Sequence, residues 1–587
     1  MIRTAPLILL LFAAVAGTLS SAVAQPPAQT QPPAQTQTNT ERTPQQAADY
    51  LPAETLFFAR LPDVAAFREQ WRDSSFGAQA EDPAFEDFFT SVVDRVSALT
   101  GGAGIDLTEL WTEVEGELSL AVVRNSADDL SLVAVAEFGD AGKAEAMLQR
   151  LEAKLQGEGA EPTTLETTDS QLKSWRRGGD ARVPNVSYFA EGSTVVFSDR
   201  LQTLAETARR GATADAETLA ENAEFQHVSR RVIPSGETSG AHWYVNPAQV
   251  VAAAVDSRMV GNPNPAVIRG MIDRMGLEQF RGFGGSFYIG KGGMDSLSST
   301  YGHVDTPVDG LWKAMTLPAT AQRPPNWVKE DVSLYSQINW SAQRFYDTLE
   351  TLVDRTSGEG TFESTMGSRP IGPSGMSFAE LAANLAGPVH IAAEIPTDAR
   401  QLTRQRAVLA IGVENAEELR QMVRQYAEGA GAETLRAGDQ EVYRFEPDVP
   451  AVGGLPPLSF AVAVAEGSLM VSPNPEYLRQ TLGERQSLRP LAESPEYQQV
   501  AAQFPERTSM ISYQRQDNRL SGLYEQLRSG VLSGGLPGLS GELLNFDFTK
   551  LPPWPAMSRY LQTTGSFIVP EPDGFRIVTF ALPPGEQ

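Results

Sequence analysis

The sequence contains no cysteine. Disulfide bonds, thiol catalysis and cysteine-ligated metals are therefore excluded, and the fold must be stable without covalent cross-links. Histidine is almost as scarce, with 4 among 587 residues. No two of them stand at ligand spacing on one expected element, so we predict no histidine-based metal site, no catalytic triad and no cofactor. The four are His227, His242, His303 and His390.

Basic residues are in the minority, with 47 Lys and Arg against 73 Asp and Glu, which gives a formal net charge of −26 at pH 7. Nucleic acids and anionic membrane surfaces repel so acidic a protein. We therefore predict that neither is a partner.

Long apolar runs are missing except near the N-terminus. Leu7 to Gly17 is apolar but too short to cross a hydrocarbon core of about 30 Å as a helix, and Ala22 to Ala24 supplies small residues suited to signal peptidase. We therefore predict that residues 1–24 are a cleaved signal peptide and that the protein is exported to the periplasm or secreted. The later runs Leu132–Ala136 and Phe460–Ala465 have only strand length, so we expect no transmembrane segment in the mature chain.

The segment after the signal peptide is poor in large apolar residues. The phrase QPPAQT occurs twice in succession from Gln25 to Thr36, and a Thr/Gln-rich stretch follows it. Such a sequence buries too little apolar surface to offset the entropy cost of ordering. We predict that residues 25–49 are a disordered tether.

An internal repeat is the most informative feature of the sequence. Ala134–Phe138 is followed by Asp140 and an amphipathic helix pattern, and Ala410–Val413 is followed by Asn415 and a similar pattern, 275 positions later. Asp140 and Asn415 both suit a helix N-cap, where a short side-chain oxygen accepts a backbone N–H. The pattern predicts a strand that leads into a helix, twice.

Further matches keep the same order along the chain. The tripeptide Glu-Gly-Ser occurs at 191–193 and again at 466–468, where it predicts a hairpin turn between two strands. Asp199 and Asn474, also 275 positions apart, are each expected to cap a second helix. Chance similarity does not keep one order over so much of the chain, so we infer a duplication.

The repeat defines the expected domains. Residues 50–305 form repeat unit 1, residues 306–326 form a linker, and residues 327–587 form repeat unit 2. Hairpins of short strands interrupted by helices are typical of an antiparallel sheet with helices on one face. The predicted fold class is therefore α+β, with two tandem copies of that architecture.

The opening of the first copy resembles a known family. The phrases that carry the resemblance are Tyr50–Leu56 (YLPAETL), Leu61–Val64 (LPDV) and Asp82–Phe85 (DPAF). They are similar to the opening of a family of exported bacterial proteins classed as a domain of unknown function. The resemblance implies export and an α+β architecture, and it brings no catalytic residues.

Two patterns in the sequence could carry chemistry. Gly285–Gly292 has the spacing of a phosphate-binding loop, but Gly292 replaces the Ser or Thr that binds Mg²⁺, so we interpret the segment as the glycine turn of a hairpin. The many carboxylates leave a glycosidase-like pair open without singling one out. Glu113, Glu115 and Glu117 alternate with other residues as they would at an exposed strand or helix end.

The segment Gly530–Pro555 is rich in Gly, Leu and Pro. It is either an apolar flap or partner surface, or a long connection whose apolar residues pack on the second copy. Its candidate contact residues are Leu532, Leu536, Leu539, Phe546, Phe548 and Trp554.

These observations favour an exported, non-catalytic binding or structural module whose partner is a protein or a polymer. One alternative is a carrier that holds an apolar ligand in a groove between sheet and helices. A second alternative is a hydrolase that uses carboxylates.

Overall fold

A computed structural model describes residues 46–92, 107–126, 129–167, 171–176, 185–213, 216–256, 277–308, 313, 317–370, 375–394, 406–446, 459–515, 521–529 and 547–584. These residues fold as two compact units. Unit 1 comprises the described residues up to Asp305 together with 547–552, and unit 2 comprises those from Thr306 to 529 and from Pro553 onward.

Unit 1 is built on a ten-stranded sheet. Its strands are β1 (Phe57–Leu61), β2 (Val114–Ser126), β3 (Asp129–Phe138), β4 (Glu161–Glu166), β5 (Gln171–Arg176), β6 (Val186–Glu191), β7 (Thr194–Ser198), β8 (Ala241–Val245), β9 (Phe280–Ile289) and β10 (Ser296–Val304). Its described helices are α1 (Val64–Arg72), α2 (Ser75–Glu81), α3 (Leu107–Glu113), α4 (Ala141–Gly157), α5 (Leu201–Ala212), α6 (Ala223–Val232) and α7 (Pro247–Asp256).

Unit 2 contains a second set of ten strands. They are β11 (Leu334–Ile338), β12 (Leu385–Glu394), β13 (Arg406–Val413), β14 (Glu433–Ala437), β15 (Gln440–Phe445), β16 (Phe460–Ala465), β17 (Ser468–Ser472), β18 (Met510–Gln514), β19 (Thr564–Glu571) and β20 (Gly574–Ala581). Its described helices are α8 (Ala342–Ser357), α9 (Phe378–Asn384), α10 (Ala416–Gly429), α11 (Pro475–Leu482), α12 (Pro495–Ala501), α13 (Ser521–Arg528) and α14 (Trp554–Met557).

The two sheets have the same strand order. In unit 1 it runs β4-β5-β6-β7-β3-β2-β1-β8-β9-β10, and all neighbours are antiparallel. In unit 2 it runs β14-β15-β16-β17-β13-β12-β11-β18-β19-β20, again antiparallel. The predicted α+β class with antiparallel strands is therefore confirmed, and the shared order supports the inferred duplication.

Helices cover both faces of the sheet in unit 1, whereas the sequence analysis placed them on one. Ala134 and Ala136 of β3 belong to a core that includes residues of α1, α3 and α4, and Val133 and Val135 belong to a core that includes residues of α5 and α6. Successive strand residues point to opposite faces, so a run that is apolar at every position is buried on both. The continuous run Leu132–Ala136 is such a sequence.

Three of the four predicted caps are confirmed. Asp140 Oδ1 accepts the N–H of Lys143 at 2.9 Å. Asn415 Oδ1 accepts that of Glu418 at 3.2 Å, and Asn474 Oδ1 that of Tyr477 at 3.1 Å. These bonds satisfy backbone donors that a helix leaves unpaired in its first turn.

Asp199 does not cap α5, which begins after Arg200. Its Oδ1 instead accepts the N–H of Leu132 at 3.0 Å. The preceding residue, Ser198, pairs with Val133, so the Asp199 carboxylate continues the ladder between β7 and β3. Burial raises the pKa of this carboxyl group.

The described structure begins inside the predicted tether. Ala47, Ala48 and Asp49 form a single 3₁₀ turn and are buried. The N–H of Ala47 donates to Glu117 Oε2 at 2.9 Å, and Gln46 Oε1 accepts from Arg60 at 3.0 Å. Residues 46–49 therefore belong to unit 1. Two small alanines are buried there, and the Asp49 carboxylate caps their turn, so the segment is ordered without large apolar side chains.

Part of the predicted linker is also folded. Thr320 exchanges two backbone hydrogen bonds of 3.0 Å with Thr508 in unit 2. The Asn339 amide donates to Pro318 O at 2.9 Å. Within the described ranges, no helix is both long enough and apolar enough to cross a bilayer.

Candidate ligand-binding pocket

An open pocket of about 420 Å³ lies in unit 1 where α1, α2 and the end of α3 meet. It is lined by Ala65, Arg68, Glu69, Trp71, Arg72, Gly77, Glu81, Trp111 and Thr112. Aromatic rings and charged groups therefore share one wall, as in sites that bind small molecules with an apolar body and a polar group.

Two tryptophans form the apolar part of the pocket. Trp71 is 1% exposed and Trp111 is 4% exposed. Trp71 stacks on Phe76 with ring centroids 5.6 Å apart, and Phe67 lies edge-on to Trp111 at 6.3 Å. The spacing of Val64, Phe67 and Trp71 places all three on the buried face of α1.

The indole Nε1 of Trp71 is buried and has no hydrogen-bond partner among the residues that the structure describes. A buried donor without a partner costs about 1–3 kcal/mol, because it has lost its water. An acceptor atom on a bound ligand is one way to recover that energy.

Charged side chains surround the rings. Arg68 Nη1 donates to the carbonyl oxygens of Trp111 at 3.0 Å and Thr112 at 2.5 Å, which ties α1 to the end of α3. Burial lowers the pKa of the Arg68 guanidinium. Arg72 is exposed in the last turn of α1. The two arginines give the pocket donors for an anionic or carbonyl group.

The close approach of α2 to α1 depends on Gly77. A Cβ atom at this position would lie 2.2 Å from the carbonyl oxygen of Trp71. The helix starts at the preceding turn because Ser74 Oγ accepts the N–H of Gly77 at 3.2 Å. The shape of the pocket is therefore encoded by a serine cap and a glycine three residues later.

No motif in the sequence predicted this pocket. Its signal was the phrase FREQWR, Phe67 to Arg72, in which apolar residues at helical spacing are flanked by two arginines. That pattern is common on ordinary amphipathic helices. The contribution of Trp111 comes from a distant helix, which the sequence pattern does not show.

Two histidines that the sequence analysis treated separately are brought together. His227 of α6 and His303 of β10 stack with ring centroids 4.3 Å apart. Nδ1 of His303 lies 2.6 Å from Glu224 Oε2. Spacing along single elements does not reveal this pair, because the two histidines lie on different elements of the fold.

The other two histidines are buried. Nε2 of His242 is 3.4 Å from the Tyr288 hydroxyl, and burial lowers the pKa of His242 to about 3. Nδ1 of His390 is 2.9 Å from the Tyr335 hydroxyl, and burial lowers the pKa of His390 to about 4. Both imidazoles are therefore neutral core groups at neutral pH.

The glycine-rich segment Gly285–Gly292 forms the end of β9 and the turn into β10. Lys291 Nζ lies 2.6 Å from Glu237 Oε2 and 3.8 Å from the centre of the Tyr288 ring. The lysine that a phosphate loop would offer to a nucleotide is thus bound to a carboxylate. The interpretation as a hairpin turn is confirmed.

Glu117 departs from the expected exposed position. It is 8% exposed, and burial raises the pKa of its carboxyl group. Oε2 accepts the Ala47 N–H, and Oε1 lies 3.8 Å from Arg60 Nη1. Glu113 and Glu115 instead pair near the surface with Arg150 and Lys143, respectively.

The candidate flap residues are only partly described. Leu532, Leu536, Leu539 and Phe546 lie outside the described residues. Phe548 is 37% exposed and groups with unit 1. Trp554 belongs to unit 2, and its ring lies edge-on to Tyr524 at 5.3 Å. Trp554 thus packs within its own unit.

Unit 2 has a smaller and more polar pocket of about 260 Å³ between α10 and the β14–β15 hairpin. Arg420, Arg424 and Arg436 line it together with Glu441 and Tyr443. Nη2 of Arg424 is 2.8 Å from Glu441 Oε2, and the Tyr443 hydroxyl donates to the same oxygen at 2.6 Å. Arg424 is thus paired with Glu441, and Arg420 is paired with Glu417. Because two of the three arginines are already paired, this pocket is the weaker candidate.

Part of the chain matches the model of a known protein family. Residues 13–257 match the model of a family described as a protein of unknown function, DUF3352. This chain is similar to that family. The match includes the Trp71 pocket but not unit 2. No curated protein and no solved structure matches the chain.

Proposed function

We propose that this protein is an exported, non-catalytic binding module. It binds a small ligand in the pocket of unit 1 that is lined by Trp71, Trp111 and Arg72, which we call the tryptophan pocket. The observation that carries the proposal is an open pocket lined by Trp71, whose buried Nε1 has no hydrogen-bond partner within the described part of the chain. Its ligand would combine an apolar part, which covers the indole rings, with an acceptor group that reaches Nε1 or the arginines.

The proposals of export and of a non-catalytic role are based on the sequence. The apolar run Leu7–Gly17 with its small-residue site supports export. A binding role is favoured because the sequence contains no recognised catalytic motif. The size of the pocket suits a small ligand or one group of a larger polymer.

The proposal is tested by incubating the purified chain with a small-molecule extract of the producing cell and identifying retained compounds by mass spectrometry. Wild type is expected to retain a compound that Trp71→Phe and Arg72→Ala lose. Arg209→Ala is the matched control, because Arg209 is also exposed in the last turn of a helix in unit 1. Equal retention of the compound by all four proteins would refute ligand binding in this pocket.

A carrier for an apolar ligand remains the second candidate, and it is favoured by the two buried indoles in the pocket wall. The carrier and the binding module differ in the kind of compound that the protein would retain. A lipid or hydrocarbon that organic solvent extracts would support the carrier, whereas a polar or anionic compound would support the module proposed above.

A further inference from the structure

We propose that His227 and His303 bind a divalent transition-metal ion, such as Zn²⁺ or Cu²⁺, at the surface of unit 1. This site is separate from the tryptophan pocket and does not depend on a ligand there. Imidazole nitrogens are common ligands of these ions.

The geometry of the pair suits a shared ion. The rings stack with an interplanar angle of 28°, and each offers a ring nitrogen within 4.8 Å of one on the other. Two nitrogens bound to one tetrahedral Zn²⁺ at ~2.0–2.1 Å stand about 3.3 Å apart. The proposal therefore includes a rotation of the two imidazoles that brings their nitrogens to this separation.

A carboxylate already holds one of the rings. Glu224 Oε2 lies 2.6 Å from Nδ1 of His303. Metal-binding histidines commonly donate one ring N–H to a carboxylate, which fixes the tautomer and leaves the other nitrogen facing the ion. With Nδ1 of His303 engaged in this way, Nε2 is its metal-binding atom.

Nε2 of His227 lies 3.4 Å from the Tyr301 hydroxyl, a distance near the limit for a hydrogen bond. A metal ion bound at Nε2 would replace this contact. Tyr301 remains held beneath the Arg231 guanidinium, whose carbon is 5.5 Å from the ring centre.

Water can reach the site. The side chain of His303 is 16% exposed and that of Glu224 is 37% exposed. Two imidazole nitrogens supply part of the coordination of the ion, and further ligands complete it. In the second repeat Gln499 stands where His227 stands in the first, so the site is expected in unit 1 alone.

The test uses the full chain without a histidine tag, first stripped with a chelator. Calorimetric titration with Zn²⁺ is expected to give one site, and His227→Gln and His303→Gln are each expected to weaken it at least about tenfold. Glu224→Gln should weaken it by a similar factor through the orientation of His303. Glu221→Gln, which removes a nearby carboxylate outside the pair, should leave the affinity unchanged.

Electron paramagnetic resonance of the Cu²⁺-loaded chain gives an independent readout, because coupling to two imidazole nitrogens is expected in the wild type and to one in each single variant. Thermal unfolding without metal shows whether the variants are folded. The proposal is overturned if Zn²⁺ binds no site in wild type or if the double variant His227→Gln/His303→Gln binds Zn²⁺ as tightly as wild type. It is also overturned if only one of the two single histidine variants weakens binding.

Discussion

The hydroxyl of Tyr335 lies 2.9 Å from Nδ1 of His390, and both side chains are buried in the central strands of unit 2. The same hydroxyl donates to Gln337 Oε1 at 3.2 Å. The strand register places Phe58 and Ser119 at the corresponding positions of unit 1. A titratable imidazole therefore stands in unit 2 where unit 1 has a serine.

This network makes a specific prediction about acid stability. Burial lowers the pKa of His390 from 6.5 to about 4, so the neutral imidazole stabilises the fold above pH 6.5, and that stability is lost as pH falls from 6.5 toward 4. His390→Gln keeps a polar partner for Tyr335 but cannot titrate. Urea unfolding of unit 2 should show that wild type loses roughly 2 kcal/mol more than the variant between pH 7 and pH 4. Equal losses would show that His390 is not buried as a neutral group.

A second prediction concerns the buried carboxyl group of Glu117. Its pKa is raised in the folded state, so the associated stability is present below the ordinary value of about 4.5 and is lost as pH rises through the folded pKa. Glu117→Gln should therefore be at least as stable as wild type at pH 7 and no more stable at pH 4.

Glu117→Ala should behave differently because it leaves the Ala47 N–H without its acceptor. We expect a loss of about 1–3 kcal/mol in the free energy of unfolding. Chemical denaturation of both variants at pH 7 and pH 4 tests these two expectations. A Glu117→Gln variant that is less stable than wild type at pH 7 would contradict the explanation.

A third prediction follows from the turn between β16 and β17. Glu466 has a φ of 52° and Gly467 a φ of 68°, so both central residues of this two-residue turn occupy the left-handed region. Asparagine tolerates that region better than glutamate. Glu466→Asn should stabilise the protein by about 1 kcal/mol in thermal or chemical unfolding. Glu466→Gln, which has no such preference, should change little, and a destabilising asparagine would refute this explanation.

A fourth prediction concerns the pairing of Lys291 with Glu237. The hydrogen bond from Lys291, followed by those from Ser239, lowers the pKa of Glu237 to about 2. The stability from this carboxylate is present above about 4.5 and lost as pH falls toward 2. In Lys291→Met, carboxyl-detected NMR should show the pKa of Glu237 rising toward its ordinary value, whereas Lys291→Arg should largely preserve it. A carboxyl pKa that does not respond to Lys291→Met would contradict the ion pair.

The sequence predicted the class and the local elements well because they depend on short-range patterns. Asp140, Asn415 and Asn474 are caps whose chemistry is read from one or two turns of chain. Asp199 matched the same pattern but pairs with β3 instead. That partner is more than sixty positions away, so local preference alone does not reveal it.

The repeat also hid a local difference. Glu191 and Glu466 align, but Glu191 is the last paired residue of β6, whereas Glu466 lies within the turn. A shift of one position changes which residue must adopt a positive φ. The aligned tripeptide predicted a hairpin in both copies but not which residues form its turn.

The sites depended on contacts between distant elements and were largely missed. Trp71 and Trp111 meet from helices some forty positions apart, and His227 and His303 meet from a helix and a strand. Each residue has an ordinary local explanation as a core or surface side chain. Their positions depend on the fold of the whole unit, including a sheet order in which β8 and β9 lie between β1 and β10.

The most direct test of the central proposal is native mass spectrometry of the chain purified gently from the cell that produces it. We expect wild type to carry an additional bound mass, Arg209→Ala to keep it, and Trp71→Phe and Arg72→Ala to lose it. A bare wild-type mass, or an additional mass that persists in both pocket variants, would contradict ligand binding in the tryptophan pocket of unit 1.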